Sequence, residues 1–574
     1  MVRFLFALAS LLAIAPSSFA QSCGPFQRST CVAMDGVEIE KLADIPNGGR
    51  DVNRHPIRIA QDPTDDALYV LATSEADGRR PGTTNIVYRL DAVAGGTFNL
   101  TEVLRNDDHG TPRPVGMDFG PDGSLYLLGN AEVGDVNSEN AQTQIVIRRG
   151  TPDGNGGWEW STVATSEPYL FSYTYFDHRA NAIVVSPDGQ TLYVNSGSRS
   201  DHGESYGGVR EEPLTSVILR IPSDGTDLTL PNDRAALESA GYVFAVGNRN
   251  TADLAFAPNG DLFGPDNAGD RDDPGELNWL REGEHYGFPW RIGGNDTPMQ
   301  FDGYDPDNDP LLPSPCNPNN ADTGCYFSND PNYPEPPEGV TFVEPIPNSG
   351  PYADSYLDPE TGAVRDASDD GVTITTFSGG RSPLGLVFDA DSLLAGRLRG
   401  GAFMLSFGGA DGFPADGQDL IFLDLDKSNG EYTLSAELVV DKFVHPIDAV
   451  MVENVVYVIE YGDWFSSGGS RGVWAVRLPT DFNTAAEPDP EALASFTAYP
   501  NPAVGELTLS YRLSTPSAVR AEMVDALGRV VRTVDQAPGL NRLAVSTEGL
   551  GAGVYVVRLT AGDVQATRTV TVLR

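Results

Sequence analysis

Lysine is nearly missing from this chain. Lys41, Lys427 and Lys442 are the only lysines in 574 residues, and arginine supplies the rest of the 38 basic side chains. Against 81 acidic residues they leave a net charge of −43. A field this negative excludes nucleic acid and anionic membrane surfaces as partners. It suits salt-rich surroundings or cation binding, and adaptation to salt accounts for the bulk of it. Long apolar runs are also scarce. Beyond the N-terminal segment, no stretch approaches the ~18 consecutive apolar residues of a transmembrane span. The first residues differ: Arg3, an apolar run over 4–14 and the small-x-small site at Ser18, Phe19 and Ala20 read as a cleavable signal peptide over 1–20.

Cysteine is limited to four residues, in two close pairs, Cys23 with Cys31 and Cys316 with Cys325. In an exported protein each pair is expected to form a disulfide closing a short loop, and the spacing excludes a CxxC metal site.

Helical periodicity is scarce too. Short apolar runs alternate with Gly, Pro, Asp and Asn clusters, the pattern of many strands joined by tight turns. One unit recurs: a PDG or PNG turn followed by a small strand, at 121–127, 187–194 and 258–263, with weaker copies at 68–70, 402–404 and 456–458. Most copies lie about 50–70 residues apart, the size of a propeller blade with generous loops. The six copies predict an all-β, six-bladed β-propeller over 21–478, with a loop insertion at about 295–355. A Pro/Glu/Ala-rich linker follows at 479–493. Strands expected at 507–511, 519–524, 530–534, 542–545, 554–559 and 567–572 make residues 494–574 a small Ig-like β-sandwich.

The C-terminal motifs are specific. YPNP (499–502), DALGR (525–529) and LGAGVYVVRL (550–559) resemble, in order and spacing, the type A C-terminal sorting domain of the type IX secretion system. The resemblance implies export through the periplasm and across the outer membrane by that machinery. The mature chain would then be released or attached to the cell surface, with no transmembrane span.

The densest polar constellation lies at 247–289. GNRN carries Arg249 and Asn250; the acidic loop DNAGDRDDPGE (266–276) follows a strand, and HYGFPW (285–290) closes the segment. Arg249 offers a planar donor fork. The loop carboxylates, with backbone carbonyls, have the chemistry to hold a hard cation such as calcium. The bland alternative is a solvated acidic loop beside a capping arginine. Asp305, Asp307 and Asp309 have calcium-loop spacing, but Cys316 stands where an EF-hand has its bidentate acid, so a flexible acidic loop is the simpler reading.

This segment resembles the glucose/sorbosone dehydrogenase family of quinoprotein propellers, through Arg249, Asn250, Glu276, Asn278, Tyr286, Gly287 and Pro289, with Phe288 where that family usually has Trp. His178, shortly before an apolar strand and a PDG turn, is similar to the family's catalytic histidine block. The resemblance implies oxidation of an aldose or related sugar at C1 to a lactone, with hydride passing to pyrroloquinoline quinone (PQQ). His178 would be the general base, and Arg249 with Asn250 and Asn267 would bind the cofactor. Calcium would lie near Ala268, Gly269, Asp270 and Asp272. The family's soluble glucose dehydrogenases clamp the cofactor's carboxylates with a fifth-blade lysine and two sixth-blade arginines. Here Gly408, His445 and Ile447 stand at those places, and Arg381 and His445 are the replacement candidates. The lost clamp keeps a second class open, a non-catalytic carbohydrate- or protein-binding propeller, and a propeller hydrolase is a third.

Overall fold

The computed structural model describes residues 23, 29–46, 54–75, 81–93, 97–135, 140–172, 174, 177–312, 327–358, 360–408, 417–462, 471–480, 493–499, 501–513, 518–525, 529–536, 542–561 and 564–573. The expected signal peptide and the Cys316–Cys325 pair lie outside them, as does most of the linker.

Each copy of the recurring unit is the second strand of an antiparallel sheet. Blade 1 is built from Arg54–Gln61, Leu68–Glu75, Pro81–Val93 and Thr97–Arg105. Blade 2 uses Pro114–Phe119, Leu125–Val133, Gln142–Pro152 and Trp158–Ser166. Blade 3 uses Ala180–Val185, Thr191–Ser196, Val217–Pro222 and Val243–Val246. Blade 4 has three strands, Ala255–Phe256, Leu262–Asp266 and Glu276–Leu280. Blade 5 uses Pro383–Phe388, Ala402–Ser406, Asp419–Ser428 and Glu431–Asp441, extended by Pro347–Pro351 lying parallel to the last of these. Blade 6 uses Pro446–Val452, Val455–Glu460 and Gly472–Arg477.

The fourth strand of blade 6 comes from the other end of the propeller sequence. Glu38–Asp44 pairs antiparallel with Gly472–Arg477, so the N-terminal strand closes the ring. Six apolar clusters lie between successive blades. Leu71 packs with Leu127 between blades 1 and 2, and Leu128 with Val194 between 2 and 3. Ile218 packs with Leu262 between blades 3 and 4, and Phe263 with Met404 between 4 and 5. Leu405 packs with Val458 between 5 and 6, and Val70 with Ile459 between 6 and 1. Burying both faces of every sheet is why these strands read as near-continuous apolar runs. The PDG and PNG turns work because their glycines, Gly123, Gly189 and Gly260, sit at φ of +81°, +74° and +88°, where a side chain is disfavoured.

The C-terminal unit is a seven-stranded sandwich of two sheets. Its six expected strands are present, and a further strand, Leu493–Tyr499, begins where the linker was expected to end. The predicted disulfide between Cys23 and Cys31 is formed, with Cα atoms 5.0 Å apart. Cys31 also opens a short strand on the edge of blade 5.

Candidate functional site at the mouth of the propeller

The innermost strands all start at one end of the central channel. Just before they turn inward stand His55, Arg113, Arg179, Ser382 and His445, each followed by Pro or Ala. Arg113, Arg179, Ser382 and His445 have φ of +40°, +50°, +52° and +50°. Left-handed backbone at four non-glycine residues is strained, and such strain tends to gather at functional sites. Loops following the second strands fold over the same end. Ser198 accepts from the His178 N–H, while Phe407 N donates to Ser382 O and Tyr461 N to His445 O.

His178 and Arg249, 71 residues apart in the chain, meet in this mouth. Gly197 lies between them: a Cβ there would stand 2.6 Å from the His178 Cβ and 3.1 Å from the Arg249 carbonyl oxygen. The hydrogen bonds fix the tautomer of His178. Its Nδ1 lies 3.3 Å from Ser198 Oγ, and that hydroxyl donates its proton to Ser200 O at 2.7 Å. Ser198 can then only accept, so Nδ1 carries the proton and Nε2 carries the lone pair. Desolvation, then the Arg249 charge, holds the imidazole pKa well below its usual 6.5, with Asp201 opposing. The His178 imidazole is therefore neutral at neutral pH, and the residue is half-buried.

Arg249 is clamped by Asp201. Nε donates to Asp201 O at 2.7 Å, one terminal nitrogen to Asp201 Oδ1 at 2.5 Å and the other to Asn267 O at 3.0 Å. The two side chains are 6 % and 1 % exposed. Asp201 also receives His202 Nδ1 at 2.9 Å. Burial pushes the Asp201 pKa up, but Arg249 and His202 together bring it below the ordinary carboxylate range. Gly269 is needed here, because a Cβ would come within 2.7 Å of Asp201 Oδ1. Asp201 and His202 were missed by sequence reasoning. The signal was the polar run SRSDHGE (198–204), which leaves a second strand as the acidic loop of blade 4 does.

Asn250 is oriented by a relay of amides. Asn195 Nδ2 donates to Asn181 Oδ1 at 2.8 Å, and Asn181 Nδ2 to Asn250 Oδ1 at 2.6 Å. With its oxygen occupied, Asn250 has its NH₂ end to offer as a donor. Its backbone N–H and that of Arg249 both bond Asp266, which burial raises to about 6.

The acidic loop does not gather its carboxylates into one cage. Asp270 meets Asp201 through its backbone N–H, 3.3 Å from both oxygens, and burial followed by repulsion from Asp201 raises it to about 7. Asp272 lies apart, packed against Gly379, and Asp273 is paired with Arg271 at 2.5 Å. Glu276 accepts from Gly293 N and Asn278 Nδ2, and burial then Asp266 raise it to about 8. Ala268 is half-buried in this loop. Among the described residues, the one trio of Cys, His or acidic ligand atoms within 4.8 Å is Cys23, Cys31 and Asp441, of which the cysteines are bonded to each other.

Arg381 is not brought to the mouth as a cation. It is fully buried, bonded to Asp419 at 2.6 Å and Ser406 at 3.1 Å, and stacked on Tyr352 at 5.2 Å. The sequence shows an arginine near the site; it does not show the buried aspartate that neutralises it. His445 is at the mouth, its Nδ1 3.0 Å from Gly462 O and its ring 4.6 Å from that of Phe407.

Fold and site together define a six-bladed propeller with an imidazole–guanidinium pair at its mouth. Residues 80–300 match the Glucose / Sorbosone dehydrogenase family model, and residues 497–573 match the Secretion system C-terminal sorting domain. Quinoprotein glucose dehydrogenase B of Acinetobacter calcoaceticus is 23% identical over 239 residues, 37% of this chain and 48% of that protein. The chain thus spans about half the length of the curated relative it matches. Among solved structures, the PQQ domain of pyranose dehydrogenase from Coprinopsis cinerea is 13% identical, covering 80% of this chain and 98% of that one, with a TM-score of 0.46. Aldose sugar dehydrogenase from Streptomyces coelicolor, in PQQ-bound form, is 15% identical, covering 77% and 98%, with a TM-score of 0.42.

Proposed function

We propose that this chain is an exported sugar oxidoreductase that acts at the propeller mouth, with His178 as the base. The observation that carries the reading is a neutral imidazole, bonded through Nδ1 to Ser198 and close enough to Arg249 for the guanidinium charge to lower its pKa. Nε2 would take the proton of the C1 hydroxyl of an aldose, and a two-electron acceptor, the quinone that PQQ would supply if bound, would take the C1 hydride, leaving the lactone carbonyl. Arg249 and the Asn250 NH₂ are the donors for negative charge that develops nearby. The sorting domain supports passage to the cell surface or beyond by the type IX route.

PQQ, named for the relatives, fits one end of this site only. Arg249 and the Asn250 NH₂ are donors, which suits the acceptor oxygens of a quinone edge. For its three carboxylates, four arginines around the mouth are already paired with acidic side chains. Arg113 and Arg179 share Glu132 at 2.9 and 3.8 Å, Arg249 is held by Asp201 and Arg381 by Asp419. At the mouth the electron acceptor is the point where this chain departs from its quinoprotein relatives. Calcium near Asp270 belongs to the same reading and is tested with it. That every one of these arginines is already neutralised favours a second reading, a saccharide-binding propeller without redox chemistry.

Dye-linked oxidation of an aldose panel by the purified chain, with and without added PQQ and calcium, separates the two. Oxidation that falls at least about 100-fold in His178→Ala supports the base assignment. Turnover that survives the substitution overturns it, and saccharide binding with no turnover in any condition selects the second reading.

A further inference from the structure

Across the mouth from His178, blades 5, 6 and 1 meet in a cluster of four rings. His55 and Tyr461 stack with centroids 4.1 Å apart and 19° between planes. Phe407 lies 4.6 Å from His445 and 5.8 Å, edge-on, from Tyr461. His55 and Phe407 are buried beneath, at 1 % and 8 % exposure, while Tyr461 and His445 are half-exposed above them. Both imidazoles are pinned through Nδ1, His55 to Tyr461 O and His445 to Gly462 O, each at 3.0 Å. Gln418 lies 3.5 Å from Nε2 of His445. Desolvation holds His55 at about 4, so it is uncharged at neutral pH.

We infer that this shelf is a saccharide subsite, on which the apolar C–H face of a neutral pyranose stacks against Tyr461 and His445. Ring faces carry negative charge and attract the weakly positive C–H bonds of a sugar, while the hydroxyls at the ring's edge stay free for polar partners. The electrostatics of the mouth select a neutral occupant. Arg113, Arg179, Arg249 and Arg381 are each paired with a carboxylate, and the net charge of −43 repels an anion. A buried arginine, Arg471, borders the shelf, its guanidinium 3.5 Å from Nε2 of His55. The subsite rests on the reading of the mouth as a sugar site, and it holds whether or not that sugar is oxidised.

Saturation-transfer NMR and calorimetry with a set of methyl pyranosides, on the full chain, test it. Only six histidines are present, so ring-labelled histidine spectra resolve the shelf. The expected result is saturable binding that shifts the His445 and His55 resonances, weakens at least tenfold in Tyr461→Ala and is retained in Tyr461→Phe. Circular dichroism confirms that both variants are folded, and His445→Ala should weaken binding independently. Pyranoside binding that is unchanged in Tyr461→Ala and His445→Ala overturns the shelf and leaves the sugar site standing elsewhere in the mouth. Failure of every pyranoside to bind overturns the sugar reading as well. Tight binding of PQQ that weakens as salt is raised, displacing the pyranoside, overturns the claim of a neutral occupant.

Discussion

Asp201→Asn and Arg249→Met should each cost far more alone than together. The pair is bonded at 2.5 Å with both side chains at most 6 % exposed, and the guanidinium makes three hydrogen bonds to its surroundings. Asp201→Asn leaves a buried guanidinium without its counter-charge. Arg249→Met leaves a buried carboxylate with the His202 imidazole and the repelling Asp270 carboxyl beside it. Breaking one side of a buried pair costs about 3–5 kcal/mol, whereas replacing both partners is often close to neutral. The double variant should therefore be more stable than the sum of the singles implies by about 2 kcal/mol or more. Urea unfolding read by tryptophan fluorescence measures this cleanly. All six tryptophans, at 158, 160, 279, 290, 464 and 474, lie in the propeller region, so the sandwich is silent. The pH dependence gives a second check. Asp201 is depressed in the folded state, so its contribution is complete above the unfolded-state value near ~3.9 and disappears as pH falls through the lower folded value. The gap between wild type and Asp201→Asn should close in acid. Single-variant costs that add within about 0.5 kcal/mol would refute the pairing argument.

Further outcomes follow from other parts of the ring. Burial raises Asp118 to about 7 and Asp448 to about 8, so the folded chain binds protons that the unfolded chain has lost, and stability should fall as pH rises from about 4 towards 8; thermal melts across that range check the sign. Asp448→Asn keeps an acceptor for Ile59 N, at 2.8 Å, and should flatten that slope. Ile39→Ala, in the closing strand and 4 % exposed, should lower propeller stability by about 2–5 kcal/mol, seen as a shift of the urea midpoint. Arg249→Met should raise the His178 pKa in histidine NMR titrations, because the guanidinium charge is one of the two causes holding it down; no movement would place the two groups too far apart to interact.

Blade number was legible because it depends on strongly patterned residues. The turn glycines and the buried Leu-Tyr-Val strands recur once per blade, and each copy is a second strand whose two faces are covered by neighbouring blades. The closing strand was not legible. Glu38–Asp44 alternates weakly, and its partner lies more than 400 residues away, so nothing local marks it. That blade 4 has only three strands among the described residues was not legible either, because the insertion supplies Pro347–Pro351 to blade 5 instead.

The candidate site divides along the same line. The meeting of His178, Arg249 and Asn250 was legible because they sit in short motifs next to strands. What orients them was not: Ser198 sets the imidazole tautomer, Asp201 clamps the guanidinium, and Asn181 turns Asn250. These are contacts between loops of different blades, made by ordinary polar residues in polar runs. Arg381 shows the cost of reading charge without contacts. In sequence it is a spare cation beside a site short of cations; in the fold Asp419 consumes its charge 2.6 Å away. In a chain with 81 acidic residues, an arginine near a site has many possible carboxylate partners. Charge balance at the mouth is therefore set by buried pairs such as Arg249 with Asp201 and Arg381 with Asp419.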